Sequence, residues 1–189
     1  MHAFLRGGLA LFALFAMAVP AAAQAQQAGK TPPAIIVVVD SQRIFREAAA
    51  LKSVRQQIDQ YRASLKPEIE KQEDSLRKED QELAKQRSIL TPEAFEQKRQ
   101  AFQGKVVTLQ KQIQDHQTNI EKAFNAAREQ VSREVVEILK DMSKARGFNM
   151  VLDRAHVQVM IEPVEITQDV LKALDQRLPT VKAALPARK

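Results

Sequence analysis

The 189-residue chain has no cysteine, no tryptophan and one tyrosine, and aromatic residues make up 5% of it. Without cysteine it has no disulfide framework, no thiolate nucleophile and no site for a lipid-modified N-terminal cysteine. Histidine is nearly as scarce. Beyond His2, His116 and His156 fall on different expected elements and in no recognisable metal or nucleophile motif. None of the five glycines builds a phosphate-cradling loop. The dense carboxylates Glu68, Glu70, Glu73 and Asp74 alternate with Lys and Arg, as on a solvated helix face. Neither catalysis nor a metal or cofactor is therefore expected. An apolar run long enough to span a bilayer is also missing, since residues 9–19 supply about half of the ~20 residues a span needs.

That short run follows Arg6 and precedes Ala21-x-Ala23 and Ala23-x-Ala25, the small-residue spacing that a signal peptidase accepts. Residues 1–25 thus read as a cleaved export signal, with Ala23 and Ala25 as alternative cleavage positions. Its removal takes away one basic residue, Arg6, so the formal charge falls from +6 to +5. The mature chain is mildly basic.

What the sequence has in abundance is Gln, Lys, Glu, Arg and Ala, which lose little rotamer freedom in a helix. Residues 26–34 form a polar, proline-containing linker. The run 35–39 holds five β-favouring apolar residues and reads as a strand buried on both faces. Asp40 or Ser41 caps a helix expected to continue to about Arg87. Leu51, Val54, Ile58, Tyr61 and Leu65 recur at threes and fours, then Ile69, Leu76, Leu83 and Leu90 mostly at sevens. This is a coiled-coil seam that thins outward, where Gln72, Glu79 and Gln86 take the complementary positions. The chain reverses near residues 88–93, with Thr91 as cap and Pro92 at the first helical position. A second helix carries Phe95, Phe102, Val106, Leu109, Ile113, Ile120, Phe124, Ala127, Val131, Val135, Ile138 and Met142, and stops at Gly147. Such helices reach roughly 65–80 Å and pack as antiparallel neighbours.

After the hairpin, residues 148–153 and 157–161 read as two short strands, the second alternating Val157, Val159 and Ile161. Thr167 is expected to cap a last helix with Val170, Leu171, Leu174 and Leu178 on one face, ended by Pro179. The fold class is therefore mainly α with a small β part: a helical-hairpin arm over residues 51–142 and a β-rich body from residues 35–50 and 143–178. Residues 179–189 are expected to form a flexible tail. Three short strands and one helix close a core poorly in one chain, which makes the body an oligomerisation element. Its candidate residues are Ile35, Val37, Val39, Val151, Val157, Val159, Ile161, Val170 and Leu174.

The segments Val37-Val-Val-Asp-Ser-Gln-Arg-Ile-Phe45, Met150-Val-Leu-Asp153 and Glu165-Ile-Thr-Gln-Asp-Val-Leu171, ordered around a long hairpin, resemble the Skp (OmpH) family of periplasmic chaperones. The resemblance implies a periplasmic homotrimer with a small β-rich body. Three helical arms would enclose a cavity in which unfolded outer-membrane proteins are held without ATP. The family's arms are described as strongly basic, whereas residues 52–84 here carry seven basic and eight acidic side chains. Positive charge gathers outward instead, in Lys85, Arg87, Lys98, Arg99, Lys105 and Lys111 against Glu93 and Glu96. A contact with anionic lipid or lipopolysaccharide stays open, because the family's basic motif has no position-by-position match here.

The candidate client-binding residues are Ile89, Leu90, Phe95 and Phe102 with Lys98, Arg99, Lys105 and Lys111, although the apolar four could equally just close the hairpin. Pro67 and Gly104 are candidate points of arm flexibility, because both lower local helix stability. A coiled-coil spacer or adaptor of the cell envelope is the alternative function. It requires straight arms and a folded partner. Nucleic-acid binding is disfavoured by export and by the near-balanced inner helices.

Overall fold

The computed structural model describes residues 32–187, so the expected signal segment and most of the linker lie outside the described residues. Strand β1 (Ile36–Val39) leads into α1 (Ser41–Glu47), followed by the long helices α2 (Ala49–Gln86) and α3 (Pro92–Arg146). Strand β2 (Met150–Asp153), two 3-10 turns (Arg154–His156 and Glu162–Val164) and α4 (Thr167–Arg177) complete the order. β1 and β2 pair in parallel, Ile36 opposite Met150 and Val39 opposite Asp153. The hairpin is the crossover that parallel pairing requires.

Several caps follow the sequence. Asp40 accepts the Arg43 amide at 2.7 Å, and Thr91 accepts that of Ala94 at 3.3 Å with Pro92 next to it. Gly147 ends α3 in the left-handed region at φ 78°, a conformation that costs a residue without Cβ little.

The helix expected to run unbroken from Asp40 or Ser41 to about Arg87 is instead two, α1 and α2. Ala48 leaves helical geometry at ψ 129°, and α2 begins anew at Ala49. Buried Ala48 and Ala50 allow close packing at the break. The missing side-chain cap is supplied from far along the chain, since Asp175 of α4 accepts the Ala49 amide at 2.8 Å. A carboxylate at a helix N-terminus satisfies an orphan donor and complements the helix dipole. Asp175→Ala is expected to lower stability by about 1 kcal/mol in urea titration; an unchanged midpoint and slope would show the cap to be idle.

Three other expectations are corrected. Residues 157–161 form no strand. The Val157 carbonyl is taken by the Arg154 guanidinium at 2.7 Å, and the Ile161 carbonyl accepts the Val164 amide, so no ladder partner is met. Thr167 does not cap α4 but stands at its first position, where its buried hydroxyl accepts the Asp40 amide at 2.8 Å and donates to Glu165. It ties α4 to the end of β1. The expected flexible tail is docked as far as Leu185: Val181 and Ala183 are buried, and Leu178 and Leu185 pack on the same core.

The core runs continuously from the body into the hairpin, through Ile44, Leu51, Val54, Val131, Ile138, Val170 and Leu174. Val39, Val170 and Leu174 are buried in the chain's own core, so among the candidate oligomerisation residues they support the body from inside. Ile35, Val151, Val159 and Ile161 are exposed, while Val37 and Val157 are half-buried. β1 is therefore buried on both faces only toward its C-terminal end. Arg177 joins α4 to α3 through Asp141 at 2.9 Å and Glu134 at 3.7 Å.

Asp153 caps the turn after β2. The Ser41 hydroxyl and then the Ala155 amide hold its carboxyl below the usual carboxylate range. A depressed carboxyl stabilises the fold above its unfolded pKa of about 3.9, and the contribution is lost as pH falls through the lower, folded value. Acid titration of Asp153→Asn should therefore show a shallower loss of stability at the acid end than the unaltered chain; parallel curves would contradict this.

Candidate functional site

The hairpin has two unlike parts. In the inner part Leu51, Val54, Ile58, Tyr61 and Leu65 of α2 are buried, facing Leu109, Ala123, Ala127, Val131 and Ile138 of α3. Among the described residues, none of α2 beyond Leu65 and none of α3 before Leu109 is buried. The outer seam positions Ile69, Leu76 and Leu83, with Phe95, Phe102 and Val106 opposite, stay half-exposed.

Polar contacts occupy the layers between them. Lys105 bridges to Glu79 at 2.7 Å, and Lys98 donates to the Gln86 side chain at 2.6 Å. An exposed ion pair contributes about 0–1 kcal/mol, well below the 1.5–3 kcal/mol of a fully buried leucine, so these layers hold the helices loosely. About one turn inside the end of the buried seam lies a Tyr61–His116 contact. The tyrosine hydroxyl and His116 Nδ1 lie 2.9 Å apart, with the rings edge-to-face, and His116 Nε2 is buried without a partner. His116 thus packs in the seam.

At the tip, Ile89 is 77% exposed, whereas Leu90, Phe95 and Phe102 are half-buried. Ile89 is thus the most open of the four apolar candidates. The cationic set also divides. Arg99 pairs with Glu96 at 2.6 Å, and hydrogen bonds from Arg99, then Gln100, lower the Glu96 carboxyl pKa. Lys85 pairs with Glu82 and Lys105 with Glu79. The charge excess counted from residues 85–111 is thereby reduced, because Glu79 and Glu82 lie just outside that window. Among the described residues Lys98 and Lys111 are exposed without a carboxylate partner.

Both expected flexible points lie inside unbroken helix: α2 passes through Pro67 and α3 through Gly104. A methyl group at Gly104 would meet nothing within 4 Å. Gly104→Ala is therefore expected to stabilise the outer hairpin by about 0.5–1 kcal/mol and to slow amide exchange around it. Faster exchange would indicate a packing role for the glycine.

Sequence reasoning also missed a contact between the hairpin and the tail. Gln57 of α2 clamps the tail backbone, its Nε2 donating to the Val181 carbonyl at 2.8 Å and its Oε1 accepting the Ala183 amide at 2.9 Å. The alternation of Val181, Ala183 and Leu185 was the available signal. An open cleft of about 530 Å³, lined in part by Pro186 and Ala187, runs along the hairpin past Tyr61, Leu65, Thr108 and Gln112.

Comparison with known proteins agrees with this architecture. A family model described as "Outer membrane protein (OmpH-like)" matches residues 35–174. Among solved structures, a Caulobacter crescentus CB15 protein described as a candidate outer membrane chaperone (OmpH-like) superposes with a TM-score of 0.69. It is 23% identical, over 82% of this chain and 92% of that one, a likeness that speaks for the fold. No curated protein matches the sequence.

Proposed function

This chain belongs to the OmpH-like outer membrane protein family, and from that premise we propose that it is an ATP-independent periplasmic holdase that keeps unfolded outer-membrane proteins from aggregating. In this reading the body joins three chains and the hairpins surround the client. The observation that carries the reading is the end of the buried seam at Leu65 and Leu109. Outward of it the arms present half-exposed apolar groups at helical spacing, held by weak polar layers. A holdase needs several such contacts, each contributing about 1–3 kcal/mol and readily released.

Exposed Ile89 and Lys111, with Lys98, whose ammonium is bonded only to the neutral Gln86 side chain among the described residues, are the outer residues best placed to meet a client. Added salt is expected to weaken their electrostatic share. The mature protein, without nucleotide, should suppress aggregation of a barrel protein diluted from urea at one trimer per client. Aggregation at the unprotected rate would sink the proposal.

A further inference from the structure

We propose that the groove holding the C-terminal tail is itself a binding site for non-helical polypeptide, filled in the free protein by the tail as a tethered competitor. The inference rests on the holdase reading for the identity of its natural occupant, a strand-forming segment of an unfolded outer-membrane protein.

The tail shows what the groove accepts. Val181 and Ala183 are buried and Leu185 half-buried, while Lys182, Ala184 and Pro186 face solvent. Burial with period two is the pattern of a strand lying on a surface, although among the described residues the tail has no strand partner. The recognition is of backbone: Gln57 offers one donor and one acceptor to the carbonyl and amide of residues two apart. A side-chain amide used in this way imitates one rung of a sheet and reads no particular sequence. Leu185 then turns tightly, its amide bonding the Ala183 carbonyl at 2.8 Å.

Transmembrane β-strands carry apolar residues at every second position, so an unfolded barrel protein supplies segments of this pattern repeatedly. A longer segment also has somewhere to go. Pro186 and Ala187 line the near end of the cleft that continues past Tyr61 and Leu65 toward the thin part of the hairpin. A client strand replacing the tail would therefore run from the rigid inner hairpin into the compliant outer one.

The test uses the full mature chain and a fluorescein-labelled peptide with the sequence of residues 178–187. A tethered segment competes at millimolar effective concentration, so Val181→Asp with Ala183→Asp, which expels the tail, should tighten peptide binding by about tenfold or more. Adding Gln57→Ala to that variant should reverse most of the gain. Equal binding by the unaltered and tail-expelled proteins would overturn the proposal, as would no binding by a tail-expelled protein with native melting.

Hydrogen exchange on the unaltered protein needs no substitution. Saturating unlabelled peptide should speed exchange across residues 181–185 by displacing the tethered copy, and unchanged exchange would overturn the proposal by itself. The holdase reading is judged separately, by aggregation of the barrel protein. Its failure would leave the peptide result standing.

Discussion

Leu51→Ala is expected to lower stability by about 2–5 kcal/mol, whereas Leu83→Ala in the same helix should cost well under half as much. Leu51 has no exposed surface and lies in the cluster that joins α1, the inner hairpin and α4. Truncating it removes apolar burial and leaves a cavity that neighbours on three helices cannot collapse to fill. Leu83 stays half-exposed in an open groove beside Phe102 and Lys98, so water can occupy the space left behind. Urea unfolding of the two variants checks the contrast. Equal losses would mean that the outer seam is as well packed as the inner one, and the division on which the holdase reading rests would fall.

That division was legible in the sequence because it depends on which residues occupy one helical stripe. Leu51, Val54, Ile58, Tyr61 and Leu65 crowd the stripe, whereas Gln72, Glu79 and Gln86 interrupt it. Thr91-Pro92 and Gly147 were legible for a similar reason, since a cap or a left-handed residue is local chemistry. Contacts between distant segments were not legible. Nothing near Ala48 announces that a carboxylate from Asp175 will cap a new helix there. Thr167 looked like a helix cap because threonine suits that role, but the Asp40 amide, brought alongside by β1, took its hydroxyl.

The tail was misread for a related reason. Residues after Pro179 have small side chains and no helical period, and such ends fray unless something ties them down. Gln57 ties this one, and a glutamine among many on a long helix carries no mark of that role. Residues 157–161 show the opposite error. Their alternation is real, but a strand needs a partner, and none is found among the described residues.

The same segment gives the second large effect. Val159→Asp combined with Ile161→Asp is expected to convert the proposed trimer to monomers while leaving each chain folded. Val159 is 89% exposed and Ile161 69% exposed, so in the single chain two aspartates there would remain in water at little cost. The exposed side chains of Ile36, Met150, Val151 and Leu152 belong to the paired strands of the same body, and exposed Ile35 immediately precedes β1. Together they leave more apolar surface uncovered than scattered exposed residues need explain. If that surface is covered by further copies of the chain, each introduced carboxylate must be desolvated without a partner, at a penalty of several kcal/mol per ion. Repetition at each interface of a trimer would exceed what a contact of ordinary size can absorb. Native mass measurement checks the result, with circular dichroism confirming that helix content is retained. A variant that keeps the unaltered protein's oligomeric mass would place the interface elsewhere and remove this surface from the assembly proposed for the holdase.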